Sequence, residues 1–382
     1  MDDEDTVFKS RRRDRHKDRR TDLLEEDQPE DQFLGMFIGF ITGDALGSAL
    51  EFSDRDSVNL ITEMEKNYLY DYPVGSWTEK TSELLCMIES FKERHEFMYE
   101  DFLMKFHNFI TTGYHSPNDK VFEVNYFIKT TGIKIGNCLK HRKTLPLSLN
   151  PCDYHQNDYQ PLLRIAPIVA RYYEQPTTCL QHVKVACQLT HISTLCVDAC
   201  RFFASLMIGA FMGVNKDILV SDRFNVMDLT TYGTLKYDRL NQEYIGQCTD
   251  TEVIMDNENI CCQSSNKNTF IRSLYPAIQK IQKGRYKHKQ RAEIISDDLM
   301  INTLEAVLWS FNQSNSFEEG CVVAVNLGLN SSAIGAIYGQ LAGIYYGYQQ
   351  IPDRWVTKLQ KKDYIIGELL SPPLSPLSSP DS

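Results

Sequence analysis

Apolar residues recur along this chain at helical spacing, and two stretches are apolar almost all round. The first, Phe33 to Glu51, reads FLGMFIGFITGDALGSALE, and the second, Asn326 to Gly347, reads NLGLNSSAIGAIYGQLAGIYYG. Each carries a glycine at every fourth position: Gly35, Gly39, Gly43 and Gly47 in one, Gly335, Gly339, Gly343 and Gly347 in the other. Residues four apart share one face of a helix, so both stretches predict helices with a smooth stripe. A glycine inside a helix costs roughly 1 kcal/mol relative to alanine, and four in register imply that another backbone approaches that face. We expect neighbouring central helices of an all-helical body. The first run approaches the length of a membrane span, but Asp44 interrupts it and polar segments follow, so no membrane partner is expected.

Shorter periodic runs fill the space between them. Pro73 and Gly75 mark a turn, Thr78 stands where an N-cap belongs, and Leu84, Leu85, Met87 and Ile88 then follow helical spacing. Phe102, Leu103, Phe106 and Ile110 form the stripe of a second amphipathic helix. In KTTGIKIGNCLK, Gly132 and Gly136 suggest a short turn into a helix start. Helical patterns lie on both sides of a break at Thr190 and His191, and return in FIRSLYPAIQKI, MINTLEAVLWSF, WVTKLQ and DYIIGELL. The polar stretches from Thr144 to Gln160 and from about Val214 to Asn268 read as irregular, the second with room for one helix. No stretch alternates with a period of two, so the fold class is all-α: a compact, single-domain orthogonal helical bundle over residues 32–370.

Charge adds the ends. Residues 1–31 are nearly without apolar side chains, and Lys9 to Arg20 packs eight Lys or Arg into twelve positions before an acidic run. This arm is expected to be disordered, as a solvated leader, a nuclear address or a weak grip on nucleic acid. The body is a poor nucleic-acid binder, since 40 basic and 51 acidic residues give a net charge of -11. Residues 371–382 form a Ser/Pro tail with three Ser-Pro steps. Eleven cysteines without a CxxC pair, and no secretory leader before the body, fit reduced thiols in the cytoplasm or nucleus.

Several residues invite two readings. Arg164, set among apolar neighbours, either forms a structural ion pair or meets an anion. His191 is read as a satisfied hydrogen-bonding residue, Asp44 as a cap for a neighbouring backbone, and Glu51 as a helix end in solvent. Lys80 can pair with Glu83, one turn along the same helix.

Taken in order, GDALGSALE, SWTEKT, LLRIAPI, LTHIS, INTLEAVLWSF with SFEEG, and the second glycine helix resemble the ADP-ribosylglycohydrolase family over roughly Phe33 to Leu370. The resemblance implies an all-helical domain whose cleft holds two Mg²⁺ or Mn²⁺ ions and removes ADP-ribose from an acceptor. Hard dications need oxygen ligands, which orient the ribose hydroxyls and position the attacking water. In the family these ligands come from a Thr-Asp-Asp-Thr run after a Trp and an Asp-x-Asp-Thr run heading the last central helix.

Here both runs depart from that pattern. Trp77 is followed by Thr78, Glu79, Lys80 and Thr81, and the second run is Asn330, Ser331, Ser332 and Ala333. Asp158, Tyr159 and Gln160 stand where the family has Gly-Asn-Gly. An ammonium about 4 Å from a dication repels it by several kcal/mol even at an effective dielectric near 20. The degenerate ligand positions are therefore Thr78, Glu79, Lys80, Asn330, Ser332 and Ala333, and no cofactor is expected. Asp44, Arg164 and His191 match the family's cleft positions. The resemblance with these departures implies a catalytically degenerate member that binds ADP-ribose or an ADP-ribosylated protein. The alternatives are a hydrolase with an unorthodox Mg²⁺ or Mn²⁺ site, using Glu51 and Glu79, and a scaffold acting through the basic N-terminal arm.

Overall fold

The computed structural model describes residues 28–57, 59–67, 71–120, 126–149, 157–222, 224 and 274–370. In chain order its α-helices are α1 (Gln28–Gly47), α2 (Glu79–Arg94), α3 (Tyr99–Thr112), α4 (Tyr126–Lys140) and α5 (Ala166–Tyr172). There follow α6 (Pro176–Gln188), α7 (Thr194–Phe211), α8 (Lys216–Leu219), α9 (Pro276–Gln282) and α10 (Met300–Gln313). The chain closes with α11 (Phe317–Val325), α12 (Ser331–Tyr346), α13 (Asp353–Val356) and α14 (Lys362–Leu370). Among the described residues there is no strand, only isolated bridges at Asn67 with Tyr72 and Asp158 with Leu299.

The two glycine stripes pack against each other. Gly35 faces Gly343, Gly39 faces Gly339, Gly43 faces Gly335 and Gly47 faces Ser331, so α1 and α12 run antiparallel. A β-carbon at Gly39 would stand 2.5 Å from the Gly339 carbonyl oxygen, closer than real β-carbons come. Backbone therefore meets backbone along the whole seam, which is what the stripes require. The remaining helices wrap this pair: α11 and α10 lie on α12, α6 on α7, α2 on α3 and α3 on α4. Among the described residues two helices, around α1 and α7, are long and apolar enough to cross a membrane by composition, but 83% and 89% of those windows are buried inside the protein. They are core helices here.

The structure departs from two expectations of order, and the helix allowed for after Val214 is present. Helix α1 begins at Gln28, ahead of residue 32, and its Asp31 carboxylate accepts the Gln349 amide at 3.0 Å. Gly132 and Gly136 lie within the unbroken α4, where Gly132 makes room for Ile110 and Gly136 for the His107 ring of α3. Their role is packing between helices rather than a turn. The polar region after Val214 contributes α8, and residues 225–273 lie outside the described residues, as do the arm up to residue 27 and the tail from residue 371.

Three helix ends meet at one place. The C-terminal end of α1 passes through a 3-10 turn, Ser48–Leu50, to Glu51, while the first turns of α2 and α12 point back at it. Ser331 Oγ donates to the Gly47 carbonyl at 2.7 Å, and the Trp77 indole N–H donates to the His115 carbonyl at 3.2 Å.

Candidate functional site

Each inward-facing helix N-terminus is met by a carboxylate from the end of α1. Four N–H groups at such an end lack partners within the helix, and the helix dipole favours negative charge there. Asp44 takes the α2 end: Oδ2 accepts the Thr78 amide at 3.0 Å, the Thr81 amide at 3.1 Å and the Thr81 hydroxyl at 2.6 Å. Its Oδ1 accepts the Thr78 hydroxyl at 2.7 Å. Burial pushes the Asp44 carboxyl up to about 6, against the pull of Lys80 and of the Thr81 and Thr78 hydroxyls.

Glu51 takes the α12 end. Its Oε2 accepts the Ser332 amide at 3.1 Å and also the Ser332 hydroxyl. The loop that carries it is locked to the approach to α12, because the Phe52 amide donates to Leu329 and the Leu329 amide to Ser53, both at 2.8 Å. Phe52 and Leu329 hold left-handed backbone, with φ of 61° and 53°, to make that pairing. Glu51 is thus buried between two elements rather than ending its helix in solvent, as the sequence suggested.

Lys80 stands between these anchors. Its ammonium lies 2.9 Å from Glu79 Oε1, 3.3 Å from Glu51 Oε1 and 3.4 Å from Thr78 Oγ1. Burial would lower its affinity for a proton, but Glu51 and Glu79 outweigh that and hold it well above the ordinary lysine value. The partner expected for it, Glu83, is instead 2.7 Å from Arg164 Nε. Geometry decides this: Lys80 points along the helix end toward α1, while Glu83 faces the 3-10 turn Gln160–Arg164.

Beyond Glu83 a buried polar chain continues. Arg164 Nη1 donates to Thr190 Oγ1 at 2.9 Å and to the Ala186 carbonyl at 3.4 Å. Thr190 Oγ1 lies 2.8 Å from His191 Nδ1, and His191 Nε2 lies 3.1 Å from Asp158 Oδ1. Tyr159, next in the chain, is buried, and burial raises its phenol against the attraction of Lys80. Only Glu79 and Asp158 of this set keep appreciable exposure, 14% and 22% of their side chains. They mark the open edge.

The chain as a whole has known relatives. The sequence profile of the ADP-ribosylglycohydrolase family matches residues 25–373. The chain belongs to that family. Within it, the chain is 25% identical over 324 residues to the ADP-ribosylarginine hydrolase Tri1 of Pseudomonas putida (strain GB-1), covering 83% of this chain and 71% of that protein. The Tri1 of Serratia proteamaculans (strain 568) is 24% identical over 316 residues, 83% of this chain and 72% of its own. A shorter match, 33% over 67 residues, or 18% of this chain and 23% of the relative, is to the ADP-ribosyl-[dinitrogen reductase] glycohydrolase of Rhodospirillum rubrum. A solved structure, an ADP-ribosylglycohydrolase-related protein complex, superposes with a TM-score of 0.66 at 26% identity, over 91% of this chain and 98% of that one.

In this member of the family, the fold brings together residues that are far apart in sequence. Asp44, Glu51, Thr78, Glu79, Lys80 and Ser332 share one cluster, while Glu83, one turn along α2 from Glu79, starts a separate buried chain through Arg164 and Thr190 to His191. Ala333 is buried without a polar side chain, and the Asn330 amide is held by the Ser296 carbonyl at 3.2 Å. Sequence reasoning passed over Glu83 as Arg164's partner and Ser332 as a donor to Glu51. The spacing of Glu83 one turn from Glu79 put it on the right face, but nothing in the sequence said which cation it would meet. Among the described residues no group of three or more His, Cys, Asp or Glu is placed to share a metal ion. The cluster can hold a fixed cation, present carboxylate oxygens at its mouth, and offer Glu79 as a base.

Proposed function

We propose that this family member binds ADP-ribose, free or carried on a protein, in its cleft without a divalent cation and without cleaving it. The observation that carries the reading is the Lys80 ammonium lodged between Glu51 and Glu79. The donor set does not fit a pair of hard dications. Ala333 offers no oxygen, the Ser332 hydroxyl is committed to Glu51, and Lys80 already holds the carboxylates a metal would need. No chemical step is therefore routed through a metal. Free thiols such as Cys86, Cys187 and Cys321 support a place inside the cell, in the cytoplasm or nucleus, and the basic run from Lys9 to Arg20 supports the latter.

A second reading rests on Glu79 alone. As a partly exposed carboxylate it can act as a general base, worth about 10²-fold to 10⁴-fold in rate, without any ion. The relatives called ADP-ribosylarginine hydrolases make release from arginine the activity to assay. Calorimetric titration of ADP-ribose, with and without Mg²⁺ or Mn²⁺, separates the two when run beside a release assay on ADP-ribosylated protein. Binding that ignores metal, without release, is expected. A variant carrying Lys80→Asp, Asn330→Asp, Ser332→Asp and Ala333→Thr is expected to make binding metal-dependent. Metal-stimulated release by the natural chain, or failure to bind ADP-ribose at all, would overturn the proposal.

A further inference from the structure

The Lys80 side chain does more than fill space beside a carboxylate. Its ammonium contacts oxygens of three residues: Glu79 and Thr78 at the start of α2, and Glu51 beyond the end of α1. Glu51 is in turn bonded to the first turn of α12, and Thr78 to Asp44. One ammonium therefore ties together three helix ends through anionic or hydroxyl oxygens. That is the coordination task of a bound ion, performed by a side chain. Two features separate this from an ordinary ion pair. Lys80 is 1% exposed, so water does not screen it, and two of its partners, Glu51 and Thr78, are also held by bonds to Ser332 and Asp44.

We propose that Lys80 is the resident cation of this cleft, a tethered replacement for a bound one, and that its removal leaves a vacancy that an external cation fills. The inference deepens the metal-independent reading above by naming the group that makes metal unnecessary. Without the ammonium, Glu51 and Glu79 face each other across a cavity with the Thr78 hydroxyl beside them. Two buried or half-buried carboxylates left without a counter-charge cost several kcal/mol unless protonated or paired, so the vacancy attracts positive charge. A small monovalent ammonium fits as the severed end of the lysine. A hard divalent ion fits because the remaining donors are oxygens.

The test does not pass through ADP-ribose, so its failure is distinguishable from failure of the proposed function. Lys80→Ala and Lys80→Gln are prepared in the full chain, the second one atom shorter than lysine but keeping a hydrogen-bonding end without charge. Thermal melting is followed in NaCl, in ethylammonium chloride of equal ionic strength, and with MnCl₂ added, and free Mn²⁺ is counted by its paramagnetic resonance. The natural chain is expected to leave Mn²⁺ free and to melt at the same temperature in all three. Lys80→Ala is expected to melt lower in NaCl, to recover in ethylammonium or Mn²⁺, and to remove about one equivalent of Mn²⁺ from solution at concentrations at least tenfold below any uptake by the natural chain, which corresponds to about 1.4 kcal/mol. If the alanine variant unfolds in NaCl, refolding in ethylammonium chloride is the readout, and Lys80→Gln carries the resonance arm. A merely structural lysine would give variants that no cation rescues. That outcome overturns the proposal, as does stoichiometric Mn²⁺ uptake at this cluster by the natural chain.

Discussion

Arg164 shows how little one residue says until its neighbours are known. Its apolar surroundings in the sequence predicted either an ion pair or an anion, and the structure pairs it with Glu83, both side chains 1% exposed. Breaking such a buried pair from one side strands a charge, which typically costs about 3–5 kcal/mol, whereas replacing both partners with apolar groups is often near neutral. Arg164→Met is therefore expected to lose about that much stability in urea unfolding, and Arg164→Met with Glu83→Leu to recover most of it. If the double variant is no better than the single one, the link to Thr190 and His191 matters more than the pair. Lys80 was misassigned for the same reason. Helical spacing reports which side chains share a face, but not which of two cations a carboxylate at that face meets.

The glycine seam is an element-scale feature, and there the sequence was most informative. Stripes at every fourth position dictated a close helix contact, and α1 against α12 supplies it. Substituting Gly339 with alanine would push a β-carbon into the Gly39 carbonyl, and backbone on the far side cannot rotate away as a side chain would. A loss of at least about 3 kcal/mol is expected for Gly339→Ala. Gly367 in α14 is the contrast, since a β-carbon there meets nothing within 4 Å. Gly367→Ala is expected to stabilise by about 0.4–1 kcal/mol, checked by the same unfolding curves. Gly132 and Gly136 were the misreading at this scale. Glycine is ambiguous between breaking a helix and admitting a neighbour, and only the four-residue register, repeated several times, decided the matter for the seam.

Across the whole molecule, stability against acid is set by opposing groups. Burial alone would raise the Glu89 carboxyl, but contacts from His115 at 3.0 Å and the Tyr114 hydroxyl at 2.9 Å outweigh it and bring it down to about 2. The same His115 lies 2.7 Å from the Tyr364 hydroxyl, so the group fastens α14 to the body. A carboxyl with a depressed folded value stabilises fully above its unfolded value of 4.5, and that contribution is lost as pH falls toward 2. Asp44 acts in the other direction. Its raised value, about 6 against 3.8, favours the folded state below 3.8 and loses that advantage as pH rises through 6. Unfolding free energy between pH 4.5 and 2 is expected to fall less steeply for Glu89→Gln than for the natural chain, by about 1–2 kcal/mol in total after allowance for partial exposure. Parallel slopes would show that Glu89 is not depressed. The all-α architecture and the pairing of the two glycine helices were legible from periodicity and glycine spacing. The electrostatic balance was not, because burial and partner choice arise only when distant segments meet.

Lys80 also changes what the cleft owes to its surroundings. The occupancy of a dissociable ion follows mass action, rising and falling with the free concentration in the compartment. An ammonium on a side chain is present once in every molecule from the moment the chain folds, and no chelator can withdraw it. Under the proposal that Lys80 is the resident cation, its charge is fixed at translation and this site carries the same electrostatic state whether magnesium is scarce or abundant.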